Sequence, residues 1–356
     1  MQLGILGLPK CGKTTLFNTM TASDQATDKF SASKKTHMAI AKVPDPRLAR
    51  LRDLFNPKRY VPATVEYVDI PGMQKGESKE SVDLARLRTV DALVHVVRAF
   101  DDPELLHSEG DLAPARDVET VDLELVLADH ELVERRLERL AKSAKASLSP
   151  EETREQELLS QVILPSLEEE KPLRGLSLDP EDEKRLRGFQ LLSAKPMLLV
   201  LNVDEDQVAE ADPAQMGLEP DEHTQVVVVS APIEEEISRL SPEEQKEFLG
   251  DLGLEEPSVD RLLRASFELL GQIAFFTVGE DEVRAWTIRR GTLAREAAGT
   301  IHSDIARGFI RAEVIHWDDL LRLGSMAAAR DEGILRLEGK DYEVRDGDVA
   351  HFRFNV

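Results

Sequence analysis

The chain has 356 residues, 41% of them hydrophobic and 32% charged, with a formal net charge of −23 and a single cysteine. That length suits two or three domains, no apolar run approaches the roughly 18 residues a membrane span needs, and one cysteine excludes an intrachain disulfide. So large a negative charge also excludes a protein that coats nucleic acid non-specifically, because phosphate neutralisation needs Lys and Arg.

The charge is uneven. Residues 1–60 hold 11 Lys and Arg against 4 Asp and Glu, residues 61–273 hold 22 against 49, and residues 274–356 hold 12 against 15. A positive field at the N-terminal end suits a polyphosphate ligand, and the acidic middle reads as a solvated, self-repelling surface. The start, Met1-Gln2-Leu3-Gly4-Ile5-Leu6, has no basic region or cleavage pattern, so a cytoplasmic location is expected.

In chain order, Leu3 to Leu6 reads as a strand, followed by a glycine-bearing turn and a helix with Leu16, Phe17 and Met20 on one face. Further strands are predicted at Thr64 to Ile70, Ala92 to Val97, Met197 to Leu201 and the run Val226 to Val229. Continuous Val and Leu runs fit strands buried on both faces, as in a mainly parallel sheet covered by helices.

Residues 119–192 differ in texture, being rich in Glu, Arg, Lys and Leu. Leu125, Leu132, Val133, Leu137 and Leu140 mark an amphipathic helix, and a second begins with Ser149 as N-cap and Pro150 at the first helical position. This predicts a helical hairpin inserted into the α/β domain; ordinary surface helices are the alternative. From Ile273 the pattern shifts to short strands, Phe275 to Val278, Val283 to Ile288, Phe309 to Ile315, Tyr342 to Val344 and Val349 to Phe354, a small α+β module. The predicted organisation is residues 1–118 with 193–272, then 119–192 as the insertion, then 273–356.

Gly7-Leu8-Pro9-Lys10-Cys11-Gly12-Lys13-Thr14 has the phosphate-loop pattern of Gly, four residues and Gly-Lys-Thr, between a strand and a helix. Its glycines let successive backbone N–H groups turn inward around phosphate oxygens, and the helix N-terminus adds its positive end. Lys13 is expected to reach the β and γ phosphates, Thr14 to place its hydroxyl on Mg²⁺, and Thr15 to serve the α-phosphate. Lys10, Cys11 and Gly12 complete the loop as nucleotide-binding candidates. Alkylation of Cys11 should block binding; a small thiol there reads first as a packing group, with redox regulation as the alternative.

Asp69-Ile70-Pro71-Gly72 follows Thr14 by 55 residues at a strand end. There a carboxylate would hold Mg²⁺ through water, and Gly72 would sense the γ-phosphate, which makes it a catalytic candidate beside Lys13. Asn202-Val203-Asp204-Glu205 follows the strand at Met197, where GTPases carry Asn-Lys-x-Asp to read guanine. Val203 stands in for the lysine and Glu205, one methylene longer, for the aspartate. Losing such a bidentate base contact costs on the order of 1–3 kcal/mol, enough to abolish a strong GTP preference. Ser230-Ala231-Pro232 occupies the place of the final base-contacting loop, and reads equally well as a strand-ending turn.

With these residues the chain resembles the Obg-like ATPases, the YchF subfamily of the Obg-type translation-factor GTPases. The resemblance rests on the phosphate loop at the N-terminus, Val43-Pro44-Asp45-Pro46-Arg47-Leu48, Asp69 to Gly72, His95-Val96-Val97-Arg98 and the Asn-x-x-Glu element. Glu282 to Ile288, Gly308 to Ala312 and Gly339 to Val356 also match, so it covers essentially the whole chain. It implies a P-loop G-domain, an inserted helical coiled-coil arm and a C-terminal TGS domain of β-grasp type. It further implies ATP binding with slow hydrolysis, Mg²⁺, and association with the ribosome, the large subunit being the expected contact. GTP is the alternative nucleotide; a monomer is expected, with no membrane or sequence-specific DNA as partner.

Departures accompany the match. The family usually has Asn-Val where Lys10-Cys11 stand, and a Pro-Phe-Cys-Thr segment before the Pro-Asp-Pro-Arg-Leu motif. Counting back from Pro44 puts the switch I magnesium ligand at Ser33, with Thr36 as the alternative. Where Ras-like enzymes place a water-orienting Gln, the chain has Met73, so intrinsic turnover should be slow; Gln74 lies one residue on. A nucleotide-gated ribosome-binding protein with vestigial hydrolysis is the second reading.

Overall fold

The computed structural model describes residues 1–21, 37–70, 84–105, 110–143, 148–221 and 223–355. Twelve strands run through them: β1 Gln2–Leu6, β2 His37–Lys42, β3 Arg59–Val61, β4 Thr64–Asp69, β5 Ala92–Ala99, β6 Met197–Val203, β7 Thr224–Val229, β8 Gln272–Thr277, β9 Glu282–Arg289, β10 Phe309–His316, β11 Arg336–Glu338 and β12 Asp348–Phe354. They form two six-stranded sheets, ordered β2-β4-β1-β5-β6-β7 and β11-β10-β12-β8-β9-β3. Contacts divide the chain into one unit of Met1–Ala39 with Glu66–Leu262 and a second of Ile40–Val65 with Leu263–Val356.

In the first unit β1 pairs in parallel with β4 and β5, and β5, β6 and β7 continue in parallel, with Leu6 opposite His95 and Val97 opposite Leu201. Every residue of β5 and β6 is buried, as expected of apolar runs covered on both faces. The Val226 to Val228 run departs from that expectation and is only half-buried, because β7 is the sheet edge and lacks a neighbour on one side. The chain takes β4 to one side of β1 and β5 to the other. The crevice outside the carboxyl ends at such a switch point is where open α/β sheets hold ligands.

The helix Pro114–Ser143 is 30 residues long, about 45 Å at 1.5 Å per residue. Its first half buries Val121 and Leu125 in the sheet core, and its remainder packs Val126, Val133 and Leu140 against Leu158, Leu159, Ile163 and Leu167. Ser149 and Glu152 form a capping box at the return helix, with Pro150 in its first turn. That helix widens into one π-turn at Leu159–Ile163 just before Pro165, whose ring would otherwise meet the carbonyl four residues back.

One buried carboxylate anchors this arm at its base. Asp129 accepts from the Leu192 and Ser193 backbone N–H groups at 3.0 and 2.8 Å, from Ser193 Oγ at 2.9 Å and from Arg88 Nη1 at 2.9 Å. Nearer the sheet Arg174 donates to Asp122, and further out Arg154 donates to Asp182 and Arg136 to Glu155.

In the second unit β10 pairs antiparallel with β11 and β12, β8 antiparallel with β9, and β12 meets β8 in parallel at Val349 and Phe276. Phe275, Ile288, Ala312, Val314 and Phe352 close a core over which the helix Ala294–Ile301 lays Ala294, Ala297 and Ala298. The predicted strand at Tyr342 to Val344 is replaced by an isolated bridge between Glu343 and Leu293.

Residues 40–65 differ from the sequence-based division, which put all of 1–118 in the first domain. β3 pairs in parallel with β9, Arg59 opposite Glu282, so this segment extends the second sheet. Arg47, in the first turn of the helix Pro46–Phe55, donates to Asp45 at 2.9 Å and to Asp346 at 2.6 Å, and lies 5.3 Å from the centre of the Phe276 ring. A proline-rich motif gives no periodicity signal of that pairing.

Removing Asp129 would leave two backbone N–H groups and the Ser193 hydroxyl without their acceptor and strip the Arg88 guanidinium of its counter-charge, with only the Gln190 and Ala128 carbonyls left to it. Asp129→Ala should cost about 3–5 kcal/mol in a urea unfolding experiment, whereas Leu127→Ala on the exposed side of the same helix should stay within about 0.5 kcal/mol.

Candidate functional site

The turn after β1 is shaped by crowding. A Cβ at Gly7 would lie 2.5 Å from the Val96 carbonyl oxygen and 2.8 Å from Cys11 Sγ. Lys10 has φ of 66° and Gly12 of 90°, so the loop is bent through left-handed backbone before the helix Lys13–Thr21 begins. A Cβ at Gly12 would lie 2.3 Å from Asn202 Nδ2, so only glycine fits there. Leu16, Phe17 and Met20 are the buried residues of that helix, and this burial sets its first turn, with Thr14 and Thr15, at the carboxyl end of the sheet.

Lys13 turns toward β4. Its Nζ donates to the Ile70 carbonyl and sits 3.1 Å from Asp69 Oδ1, so cation and carboxylate meet at the strand end. Both side chains are nearly buried. Thr14 and Asp69 are hard oxygen donors of the kind and number that Mg²⁺ takes when phosphate oxygens and water complete its shell. Among the described residues no three His, Cys, Asp or Glu side chains gather into a metal-holding group, so an all-protein cage is not offered. Ser33, Thr36, Gly72, Met73 and Gln74 lie outside the described residues.

The Asn202 to Glu205 element divides its labour. Asn202, buried at the end of β6, donates from Nδ2 to the Cys11 carbonyl at 3.0 Å and accepts at Oδ1 from the Ala231 N–H at 2.9 Å. Asp204 Oδ2 accepts from the Asp101 N–H at 3.0 Å. Val203 is 1% exposed and belongs to the sheet core, so it does not supply the base stacking expected of its position as a nucleotide-binding residue. Glu205 stands exposed in a short 3₁₀ turn, the carboxylate of the element with an open approach. Ser230 is buried, and its hydroxyl has no hydrogen-bond partner among the described residues; Ala231 offers its N–H to Asn202, and Pro232 is exposed.

Reading motifs one by one misses the ties between these loops. The Asn202 clamp is one. Arg98 is another, its buried guanidinium donating to the carbonyls of Phe100 and Leu105 at 3.1 and 3.0 Å and so shaping the turn after β5. A cationic residue directly after a predicted buried strand, and inside the observed one, is the signal that could have exposed it.

Cys11 is a packing group. It is 2% exposed, and burial pushes its thiol up from 9.0 to about 11, which removes the thiolate that redox chemistry requires. His95 is also buried and, driven chiefly by desolvation, falls to about 3, so it stays neutral in the core.

The chain is similar to several known proteins. A family model described as a 50S ribosome-binding GTPase matches residues 2–128, and a model for the YchF-GTPase C-terminal region, described as a protein of unknown function, matches residues 272–355. The Bacillus subtilis protein described as a ribosome-binding ATPase YchF is 45% identical, over 100% of both chains. The Escherichia coli O157:H7 protein of the same description is 40% identical, over 100% of this chain and 99% of its own. The solved structure of a Schizosaccharomyces pombe YchF GTPase superposes with a TM-score of 0.84 at 30% identity, covering 99% of this chain and 97% of that one.

The raised thiol predicts slow alkylation. At pH 8 native Cys11 should react with iodoacetamide about 100-fold more slowly than the urea-unfolded chain, since a shift from 9.0 to about 11 cuts the thiolate fraction by about that factor. Mass spectrometry of quenched samples reads the two rates.

Proposed function

The chain belongs to the YchF family, and from that premise we propose that it is an ATP-preferring, slowly hydrolysing nucleotidase that works as a ribosome-associated switch. Nucleoside triphosphate chemistry follows from family membership and the phosphate loop. The choice of ATP is our reading, and one observation carries it: the base-reading element has spent its groups elsewhere. Asn202 holds two loops together, Asp204 holds a third, Val203 is in the core, and Glu205 is left as the carboxylate for the base. Guanine recognition of the Asn-Lys-x-Asp kind needs a lysine over the ring and a short carboxylate at N1 and the exocyclic amine, and neither is in place.

In this reading Lys13 and the loop N–H groups bind the β and γ phosphates and stabilise charge developing on the transferred group. Lys10, Cys11, Gly12 and Thr15 line the phosphates, with Ser230, Ala231 and Pro232 closing the base side. Mg²⁺, when bound, supplies charge neutralisation; Thr14, Asp69 and Ser33 would hold it. Gly72 would report the γ-phosphate. Slow turnover follows from Met73, whose thioether cannot orient a water as Gln does.

The resemblance to proteins described as ribosome-binding supports the ribosome as partner, and the 50S description of the matching family model supports the large subunit. We take the protein to act in the cytoplasm as a monomer. Among the described residues no helix is long and apolar enough to cross a membrane. We keep residues 1–118 with 193–272, 119–192 and 273–356 as functional divisions for nucleotide, arm and C-terminal module, with 40–65 packing as described above.

Titration of the nucleotide-free protein with fluorescent ATP and GTP analogues should show ATP bound at least about 10-fold tighter, the scale of one lost bidentate base contact. Equal or tighter GTP binding overturns the ATP assignment and leaves a GTPase, as the S. pombe relative is described.

The second reading, a ribosome-binding switch with vestigial hydrolysis, is favoured by Met73 in place of the Gln and by the altered switch I segment before Pro44. Single-turnover hydrolysis with and without ribosomal subunits separates the two. Phosphate release above a Lys13→Ala background is the expected result; none under either condition sinks the enzyme reading.

A further inference from the structure

The helix Ala231–Ile237 starts at the base-side loop, and one of its buried side chains has no part in the reading above. Glu234 is 2% exposed, a carboxylate inside the protein one turn after Ala231. Its Oε1 accepts from the Ser258 N–H at 2.7 Å, and the carboxylate also takes the Val259 N–H and the Ser258 hydroxyl. It thereby closes the N-terminus of the helix Ser258–Leu269, 24 residues further along the chain. Ser258 is itself fully buried, and Arg261 donates to its Oγ at 2.9 Å.

Packing alone does not call for this group. Ile233 and Ile237, on the same short helix, already bury in the sheet core. Burial pushes the Glu234 carboxyl up from its ordinary value, a cost that the N–H groups of Ser258 and Val259 offset. Apolar contacts are non-directional and would let a seven-residue helix slide or turn, whereas a carboxylate on two backbone N–H groups fixes its place. What it fixes lies one turn back. The Glu234 N–H donates to the Ser230 carbonyl at 3.0 Å, while Asn202 Oδ1 holds the Ala231 N–H at 2.9 Å. Ala231 also borders the phosphate loop, its Cβ lying 4.0 Å from where a Cβ at Gly12 would stand. The base-side loop is therefore held from two directions, by Asn202 at the sheet and by Glu234 at the next helix.

We infer that Glu234 is a positioning residue for the base end of the nucleotide site. By tying the helix Ala231–Ile237 to the first turn of the helix Ser258–Leu269, it sets where Ser230, Ala231 and Pro232 meet the base. The inference rests on the reading above that these three residues close the base side, and it holds whichever base is preferred. Linkage adds a consequence: if the tie favours nucleotide by some factor, nucleotide favours the tie by the same factor.

The test compares ATP with inorganic tripolyphosphate, each with Mg²⁺, on the full chain by calorimetric titration; GTP replaces ATP if it binds tighter. Tripolyphosphate can fill the phosphate loop and leaves the base end empty. Glu234→Ala should weaken ATP about 10-fold, the lower end of what one misplaced base contact costs, and tripolyphosphate less than about 2-fold. Glu234→Gln, of the same length and with one acceptor oxygen, should recover most of the ATP affinity. Hydrogen exchange of the unmutated protein reads the reciprocal effect: saturating ATP should slow the Ser258 and Val259 amides by about the same 10-fold, and tripolyphosphate by less than about 2-fold.

Unchanged ATP affinity in a folded Glu234→Ala protein overturns the inference, as does an equal loss for ATP and tripolyphosphate, which marks a carboxylate that only supports the fold. If that variant does not fold, the exchange measurement decides: slowing by ATP alone supports the inference, and no slowing overturns it. Wild-type protein that binds tripolyphosphate as tightly as the nucleotide has no base site, so the reading of Ser230 to Pro232 fails and this inference falls with it. Nucleotide binding well above tripolyphosphate with no response at Glu234 overturns the positioning role and leaves that reading standing.

Discussion

A single buried amide holds the candidate nucleotide site in shape. Asn202 spans 191 residues to the Cys11 carbonyl and 29 residues to the Ala231 N–H, using one donor and its acceptor in a place where neither could be left unsatisfied cheaply. The constraint propagates outward. Because the amide lies against the loop, position 12 admits no side chain; because Gly12 can take a φ of 90°, the chain can turn into the helix with its first N–H groups facing the same crevice. The strand β6 must end where it does, since a shift of one residue would put Val203 against the loop and Asn202 elsewhere.

Lys13 and Asp69 add the electrostatic counterpart. Two opposite charges 3.1 Å apart and nearly buried attract strongly, and the Ile70 carbonyl accepts a hydrogen bond from the same ammonium. In the proposed reading phosphate binding would compete with this existing pair. A negative ligand would offer Lys13 a second partner and free Asp69 for a divalent cation, so that ligand and metal affinity would be coupled through that exchange.

Much of this was legible in the residues, for identifiable reasons. The phosphate loop, β1, β4, β5 and β6 carry dense local signals: apolar runs bounded by glycine, or a fixed spacing whose mechanism is local. The return helix announces itself through Ser149, Pro150 and Glu152, whose capping bonds join neighbours in sequence. What was missed depends on residues far apart. β3 is three residues long and pairs with β9 more than two hundred positions away, and Arg47 finds Asp346 at a separation of 299. Val203 looked like a ligand residue because its motif position is one, but the side chain alternates into the core. Tyr342 to Val344 has strand-like composition and no neighbouring strand to complete a ladder.

Net charge was the least informative quantity, and screening explains why. At physiological ionic strength the Debye length is about 8 Å, so a phosphate at the loop responds to Lys13, the loop N–H groups and the helix terminus rather than to the acidic residues that dominate the total. In a chain of −23, burial and geometry therefore select which charges act together at a given place, and the total says little about any one of them.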